Sequence, residues 1–148
     1  MQHSEDGRAM DSVSIVIPAF NEAPRIEGTL AAVAACLAGR LSFEIIVVDD
    51  GSTDDTLSRA RAAAARHPGI VRVITLPANR GKGYALRTGA GVASRPVVVF
   101  YDADCEIPPE EIFRLVNLLA RTQAAAAVGR KLFLPEQVPA GRALLSSL

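Results

Sequence analysis

Four short, mostly apolar runs constrain this chain more than any other feature. They are Val13–Ile17, Phe43–Val48, Ile70–Thr75 and Val97–Tyr101. Each breaks off into polar, acidic or glycine residues before a stretch of helical spacing begins. Short runs rich in Val and Ile, bounded by turn residues, read as buried strands. Pro18 is expected to stop the first of them.

The intervening segments carry the helical period. Over residues 24–38 the apolar positions are Ile26, Leu30, Val33, Ala34 and Leu37, and Gly39 marks the stop. Ser52 or Thr53 is placed to cap a second helix with Asp54 and Asp55 in its first turn, where the helix dipole favours acids. That helix runs through an alanine-rich stretch to His67-Pro68-Gly69. A third follows Asn79-Arg80-Gly81-Lys82-Gly83 and runs to about Ala93. A fourth opens at Pro108-Pro109-Glu110-Glu111, with Ile112, Leu115, Val116 and Leu119 as its apolar face. Ala125–Val128 is expected to form a fifth strand.

Strand and helix therefore alternate, which predicts an α/β fold with a mostly parallel sheet and helices on both faces. Residues 1–11 read as a disordered lead, and residues 12–148 as one domain. Right-handed crossovers bring every strand's C-terminal end to the same edge, where such sheets bind their ligands. All the polar motifs of the chain are expected there.

Composition narrows the function. The 148 residues carry no formal net charge, so nothing in the total favours nucleic acid. The two cysteines, Cys36 and Cys105, are far apart and lack metal-type spacing, which suits a reducing compartment. The two histidines, His3 and His67, fall in the lead and in a turn, so a histidine-based zinc site or catalytic triad is not expected. No stretch approaches the roughly 18 apolar residues of a membrane span, and the polar N-terminus has no signal-peptide core. These features predict a cytoplasmic protein, or one peripheral on the cytosolic face of a membrane.

Chemistry concentrates in four motifs. Asp102-Ala103-Asp104 follows the fourth strand, with Glu106 at the next alternate position. Carboxylates this close either repel as a solvated acidic turn or share a hard cation such as Mg²⁺ or Mn²⁺. After the second strand, a carboxylate of Asp49-Asp50-Gly51-Ser52 either caps the following helix or accepts a hydrogen bond from a base, while Gly51 permits a tight turn. Pro18-Ala19-Phe20-Asn21-Glu22 is either a helix start capped by Asn21 or the wall of a base pocket, with Phe20 against the base. Asn79–Gly83 resembles a phosphate cradle before a helix, where Lys82 and Arg87 either meet a diphosphate or stay solvated. The P-loop spacing and the G-x-G-x-x-G fingerprint are both absent. In receiver domains and haloacid-type phosphatases the acids follow the first strand; here they follow the second and fourth.

Taken together, Val-Ser-Ile-Val-Ile-Pro-Ala-Phe-Asn-Glu (13–22), Ile-Ile-Val-Val-Asp-Asp-Gly-Ser-Thr-Asp (45–54) and Asp-Ala-Asp (102–104) resemble the family 2 glycosyltransferases of GT-A fold. The segment 71–89, through Asn79-Arg80-Gly81-Lys82-Gly83, is most similar to dolichyl-phosphate or polyprenyl-phosphate β-glucosyltransferases. Asp-Ala-Asp-x-x-x-Pro-Pro-Glu, running from Asp102 to Glu110, is shared with dolichyl-phosphate mannose synthases.

The resemblance implies an inverting hexosyltransferase. Glucose is favoured and mannose next, moved from a nucleotide-diphosphate sugar such as UDP-glucose or GDP-mannose to polyprenyl or dolichyl phosphate at a membrane surface. It implies that Pro18, Phe20, Glu22, Val48 and Asp50 hold the nucleoside; Ala19 and Gly51 beside them, and Lys82 and Arg87 of the glycine-rich turn and its helix, complete the candidate donor site. Asp102, Ala103 and Asp104 would hold the ribose, diphosphate and metal, with Glu106 as a further ligand of Mg²⁺ or Mn²⁺. Lys131 stands where the family has an arginine for the lipid phosphate, keeping the charge and losing the fork, and Arg142 is a second candidate. The family's catalytic domain extends past Leu148, so the resemblance implies a C-terminally incomplete domain. It leaves open a hydroxyl acceptor, a non-catalytic nucleotide-sugar-binding module, and a homo-oligomer or partner subunit.

Overall fold

A computed structural model of the chain describes residues 11–127 and 129. The elements alternate as β1 (Ser12–Ala19), α1 (Ile26–Leu37), β2 (Ser42–Asp49), α2 (Thr56–Arg66), β3 (Val71–Thr75), α3 (Lys82–Gly91), β4 (Val97–Phe100) and α4 (Glu111–Thr122). The four strands form one parallel sheet in the order β3-β2-β1-β4.

Strand alternation sorts the core into two layers. Ile15, Ile17, Ile45, Val47, Val97 and Val99 face one side and pack with Ile26, Leu30, Val33, Ala60, Ala63, Ile112 and Val116 of α1, α2 and α4. Val16, Ile46 and Val48 face the other side and pack with Leu76 and with Ala85 of α3. The split follows from handedness. The chain steps outward from β1 to β3 with its helices on one face. It then crosses back over the sheet to β4, which places α3 on the opposite face. At Gly89 the helix lies so close that a Cβ would overlap Val16 Cγ1. Burying each large aliphatic side chain of this core contributes about 1.5–3 kcal/mol.

The structure moves four expectations. β1 does not stop at Pro18 but continues to Ala19, with Pro18 opposite Val48. The Val16 carbonyl faces β4, accepting from Tyr101 N at 3.0 Å, and the Ala19 carbonyl faces β2, accepting from Asp50 N at 2.8 Å. Pro18 alternates with Val16, so its missing N–H falls just past the last β1–β4 pair, Val16 and Phe100, at the end of that ladder. Second, α2 begins at Thr56, and neither Ser52 nor Thr53 caps it. Thr56 N donates instead to Asp54 Oδ1 at 2.9 Å. Third, Ala125–Ala127 form no strand, Val128 lies outside the described residues, and the sheet has four strands among the described residues. Fourth, Asp11, expected in the disordered lead, accepts the Ser42 N–H at 2.8 Å.

No helix among the described residues is long and apolar enough to cross a membrane.

Candidate functional site

The strand order reverses between β1 and β4, and in open parallel sheets that switch point opens a crevice at the strands' C-terminal ends. The crevice is present, with a volume of about 330 Å³. The β1 side lines it with Pro18, Ala19, Phe20 and Glu22, and the β4 side with Asp102, Ala103 and Asp104. Asp50, Asn79, Gly81 and Lys82 come from the tips of β2 and β3. Phe20 is 43% exposed, an aromatic ring available at the mouth.

The loops that form the crevice are joined in a ring. The β1 and β2 tips are tied by side chains: Asn21 N donates to Ser52 Oγ at 3.0 Å, and Asn21 Oδ1 accepts from Thr53 N at 2.9 Å. Glu22 N donates to Thr56 Oγ1 at 2.7 Å, and Ala23 N to Asp54 Oδ2 at 3.2 Å. Asn21, at φ +54°, is therefore not the cap of α1 but a bridge to a loop 32 residues away. The hydrogen bonds from Thr56 and Ala23 hold the Asp54 carboxyl below its ordinary value.

The β2 and β3 tips are tied by Asp50 and Gly51. Asp50 is buried, and its carboxylate accepts Arg80 N at 2.7 Å on Oδ1 and Gly81 N at 2.9 Å on Oδ2. Gly51 sits at φ +69°, and a Cβ there would lie 2.6 Å from Ala78 C and Asn79 N. Only glycine tolerates both that dihedral and that approach. Asp49 is separated from Asp50 by strand alternation. It is 1% exposed, and its Oδ1 has no hydrogen-bond partner among the described residues.

The β4 tip is held from within. Burial alternates along it, with Tyr101 and Ala103 inward and Asp102 and Asp104 outward. Tyr101 Oη donates to the Ile107 carbonyl, and Cys105 Sγ lies 3.2 Å from Tyr101 Oη. Burial and Cys105 push the Tyr101 hydroxyl well above its usual pKa, so it remains a donor. Thr29 of α1 donates to the Ala103 carbonyl at 2.6 Å.

Asp102 and Asp104 share the crevice with room for phosphate oxygens. That donor set fits Mg²⁺ or Mn²⁺, which are commonly held by one or two carboxylates together with substrate phosphates and water. A three-carboxylate cage is not formed: among the described residues no three acidic, cysteine or histidine side chains converge on a metal position. Glu106 does not line the crevice, and its main-chain N–H donates to Asp104 Oδ1 at 3.1 Å.

The crevice brings together Pro18, Ala19, Phe20, Glu22, Asp50, Lys82, Asp102, Ala103 and Asp104. Val48 and Gly51 lie behind it, in the core and under the β3 loop. Arg87 lies 5.9 Å from the Tyr84 ring centroid, where Arg80 also stacks at 4.1 Å, and does not line the crevice. Lys131 and Arg142 lie outside the described residues. Sequence reasoning missed Thr29 and the bridging role of Asn21. The signal for Thr29 was available, because a hydroxyl stands one residue before Leu30 on the buried stripe of α1.

The geometry leaves family membership to be decided by similarity. The model of glycosyl transferase family 2 matches residues 14–139. The chain belongs to this family. An undecaprenyl-phosphate 4-deoxy-4-formamido-L-arabinose transferase of Sodalis glossinidius is 39% identical over 113 residues, covering 76% of this chain and 35% of that protein. A transferase of the same description from Pseudomonas aeruginosa is 40% identical, covering 76% and 33%. The chain thus spans about a third of the length of these curated relatives.

Solved structures agree. Glucosyl-3-phosphoglycerate synthase of Mycobacterium tuberculosis, in complex with Mn²⁺, UDP and glucosyl-3-phosphoglycerate, superposes with a TM-score of 0.63 at 34% identity, over 77% of this chain and 41% of that one. A mannosyltransferase from Pyrobaculum calidifontis, in complex with GDP-Man and Mn²⁺, gives 0.58 at 36% identity, over 62% and 27%. The fold of this family 2 chain is therefore of the GT-A type, as its motifs predict.

Proposed function

We propose that this family 2 chain is the donor-binding part of an inverting glycosyltransferase. It would take a hexose from a nucleotide-diphosphate sugar and transfer it to a polyprenyl phosphate at a membrane surface. One observation carries the reading: two acids of the β4 tip and the cationic β3 loop, anchored by Asp50, face one crevice large enough for a small ligand. The names of the curated relatives support the lipid acceptor, and the ligands of the solved relatives support the donor and the ion.

Each group then has a task. Pro18, Phe20 and Glu22 form the wall for the nucleoside. Asp102 and Asp104 would hold Mg²⁺ or Mn²⁺, which would supply a Lewis acid for the departing nucleoside diphosphate. Lys82 adds a mobile cation on the same side. The acceptor phosphate is already ionised at neutral pH, so attack on the anomeric carbon needs no dedicated base. In-line displacement inverts that centre, giving a β-linked product from an α-linked donor. Lys131 and Arg142 are the candidates for the acceptor's phosphate. Among sugars, glucose is the first choice and mannose the second.

Isothermal titration of UDP-glucose, GDP-mannose and the nucleotide-activated 4-deoxy-4-formamido-L-arabinose, with Mn²⁺ and then with EDTA, tests this reading. We expect one donor to bind and EDTA to abolish binding. Absence of binding by all three in Mn²⁺ sinks the donor site.

A further inference from the structure

We infer that Thr29, on α1 and outside the crevice, is the positioning residue for the pair of acids on the β4 tip. The inference rests on the proposed donor-site reading in assigning those acids to a metal-bound diphosphate.

Thr29 is 2% exposed, and its hydroxyl ignores the usual partner of a helical threonine, the carbonyl one turn back. That carbonyl, of Arg25, is taken by the Thr29 N–H at 3.0 Å. The Thr29 hydroxyl reaches 74 residues along the chain to the Ala103 carbonyl at 2.6 Å. Ala103 is itself 4% exposed, with its methyl group in the main core. The residue between the two acids is therefore held by packing at its side chain and by a buried hydrogen bond at its carbonyl. With Ala103 fixed on both counts, backbone alternation aims Asp102 and Asp104 outward on either side of it.

The rest of the loop cannot do this alone. The Tyr101 hydroxyl closes the loop at the Ile107 carbonyl, beyond the acids. Cys105, at φ +54°, turns the chain after them, with its N–H on the Asp102 carbonyl at 3.3 Å. Thr29 supplies the hydrogen bond that acts between the two carboxylates from outside the loop. A threonine at this position weakens the helix relative to alanine and would strand a buried hydroxyl without its partner. Its presence on an otherwise apolar stripe is explained by that one acceptor.

The test compares Thr29→Val, which keeps the shape and removes the hydroxyl, with Thr29→Ser, which keeps the hydroxyl. Mn²⁺ affinity is read by electron paramagnetic resonance in the presence of UDP, alongside Tm. We expect the valine variant to lose about tenfold in Mn²⁺ affinity, as outer-sphere supports of metal ligands do, and the serine variant to stay near wild type. Amide exchange at Cys105 and Glu106, whose N–H groups bond within the loop, should accelerate in the valine variant only. A valine variant that melts earlier yet binds Mn²⁺ and exchanges like wild type makes Thr29 merely structural and overturns the inference. Should the valine variant not fold, Thr29→Ala, which admits water to the carbonyl, is compared with serine by the same readouts. If wild type itself binds no Mn²⁺ with UDP, the donor-site reading fails, and the exchange comparison alone decides the role of Thr29.

Discussion

Lys82 Nζ lies 2.5 Å from Asp102 Oδ1, joining the β3 loop to the β4 tip across the mouth of the crevice. The β1–β2 and β2–β3 links each engage main-chain N–H groups, whereas this one rests on two side chains alone, 61% and 54% exposed. An exposed pair of this kind contributes about 0–1 kcal/mol, so it is free to exchange partners. Replacing Lys82 by methionine should shift Tm by no more than about 4 °C. The same change should weaken UDP binding about tenfold, through loss of a charged hydrogen bond to phosphate. Titration calorimetry beside a melting curve separates the two effects. A large fall in Tm with unchanged UDP affinity would contradict them.

Asp50 offers the opposite case, a buried carboxylate whose two oxygens each accept a main-chain N–H of the β3 loop. Asp50→Asn turns one acceptor into a donor facing another donor. We expect a loss of about 1–3 kcal/mol in urea unfolding, with weaker donor binding because the loop carrying Lys82 shifts. Equal stability of the two proteins would exclude Asp50 as the anchor.

Gly51→Ala should act on the same loop by sterics. A methyl placed 2.6 Å from Ala78 C at φ +69° must displace the β3 loop or strain the turn. A cost of about 1–3 kcal/mol is expected, readable in the urea midpoint.

At the opposite end of the sheet, Glu44 makes stability depend on pH. Its Oε1 accepts Ser14 Oγ at 2.6 Å, Ser94 N at 2.7 Å and Ser94 Oγ at 2.8 Å. Burial pushes this carboxyl up, but the hydrogen bonds from Ser14 and Ser94, with the charge of Arg72, outweigh it and hold the pKa below the ordinary 4.5. A depressed folded-state value means the stabilisation is complete above the unfolded value and is lost as pH falls through the folded one. The urea midpoint of Glu44→Gln should therefore lie below that of wild type at about pH 7 and approach it at about pH 3. A gap that persists unchanged at the lower pH would show that ionisation is not the cause.

Much of this was legible in the residues. Runs such as Val13–Ile17 and Phe43–Val48 are too short and too apolar to be anything but buried strands once helical periods separate them. Handedness then sends Pro18–Glu22, Asp50, Asn79–Gly83 and Asp102–Asp104 to one edge. Pro18 was misread because local propensity cannot see where a neighbouring ladder ends. Ala125–Ala127 were misread because apolar composition does not by itself supply a pairing partner.

By itself, then, the sequence determined the alternation, the parallel sheet, the family and the set of tips that converge. These follow from periodicity and chirality, which are local properties of the chain. Only the tertiary structure decided which groups touch: that Asp50 is occupied by the β3 loop, that Asn21 bridges rather than caps, and that Thr29 holds Ala103. Those contacts join residues roughly 30 to 74 positions apart. They depend on side-chain direction in a packed interior, which no local pattern encodes.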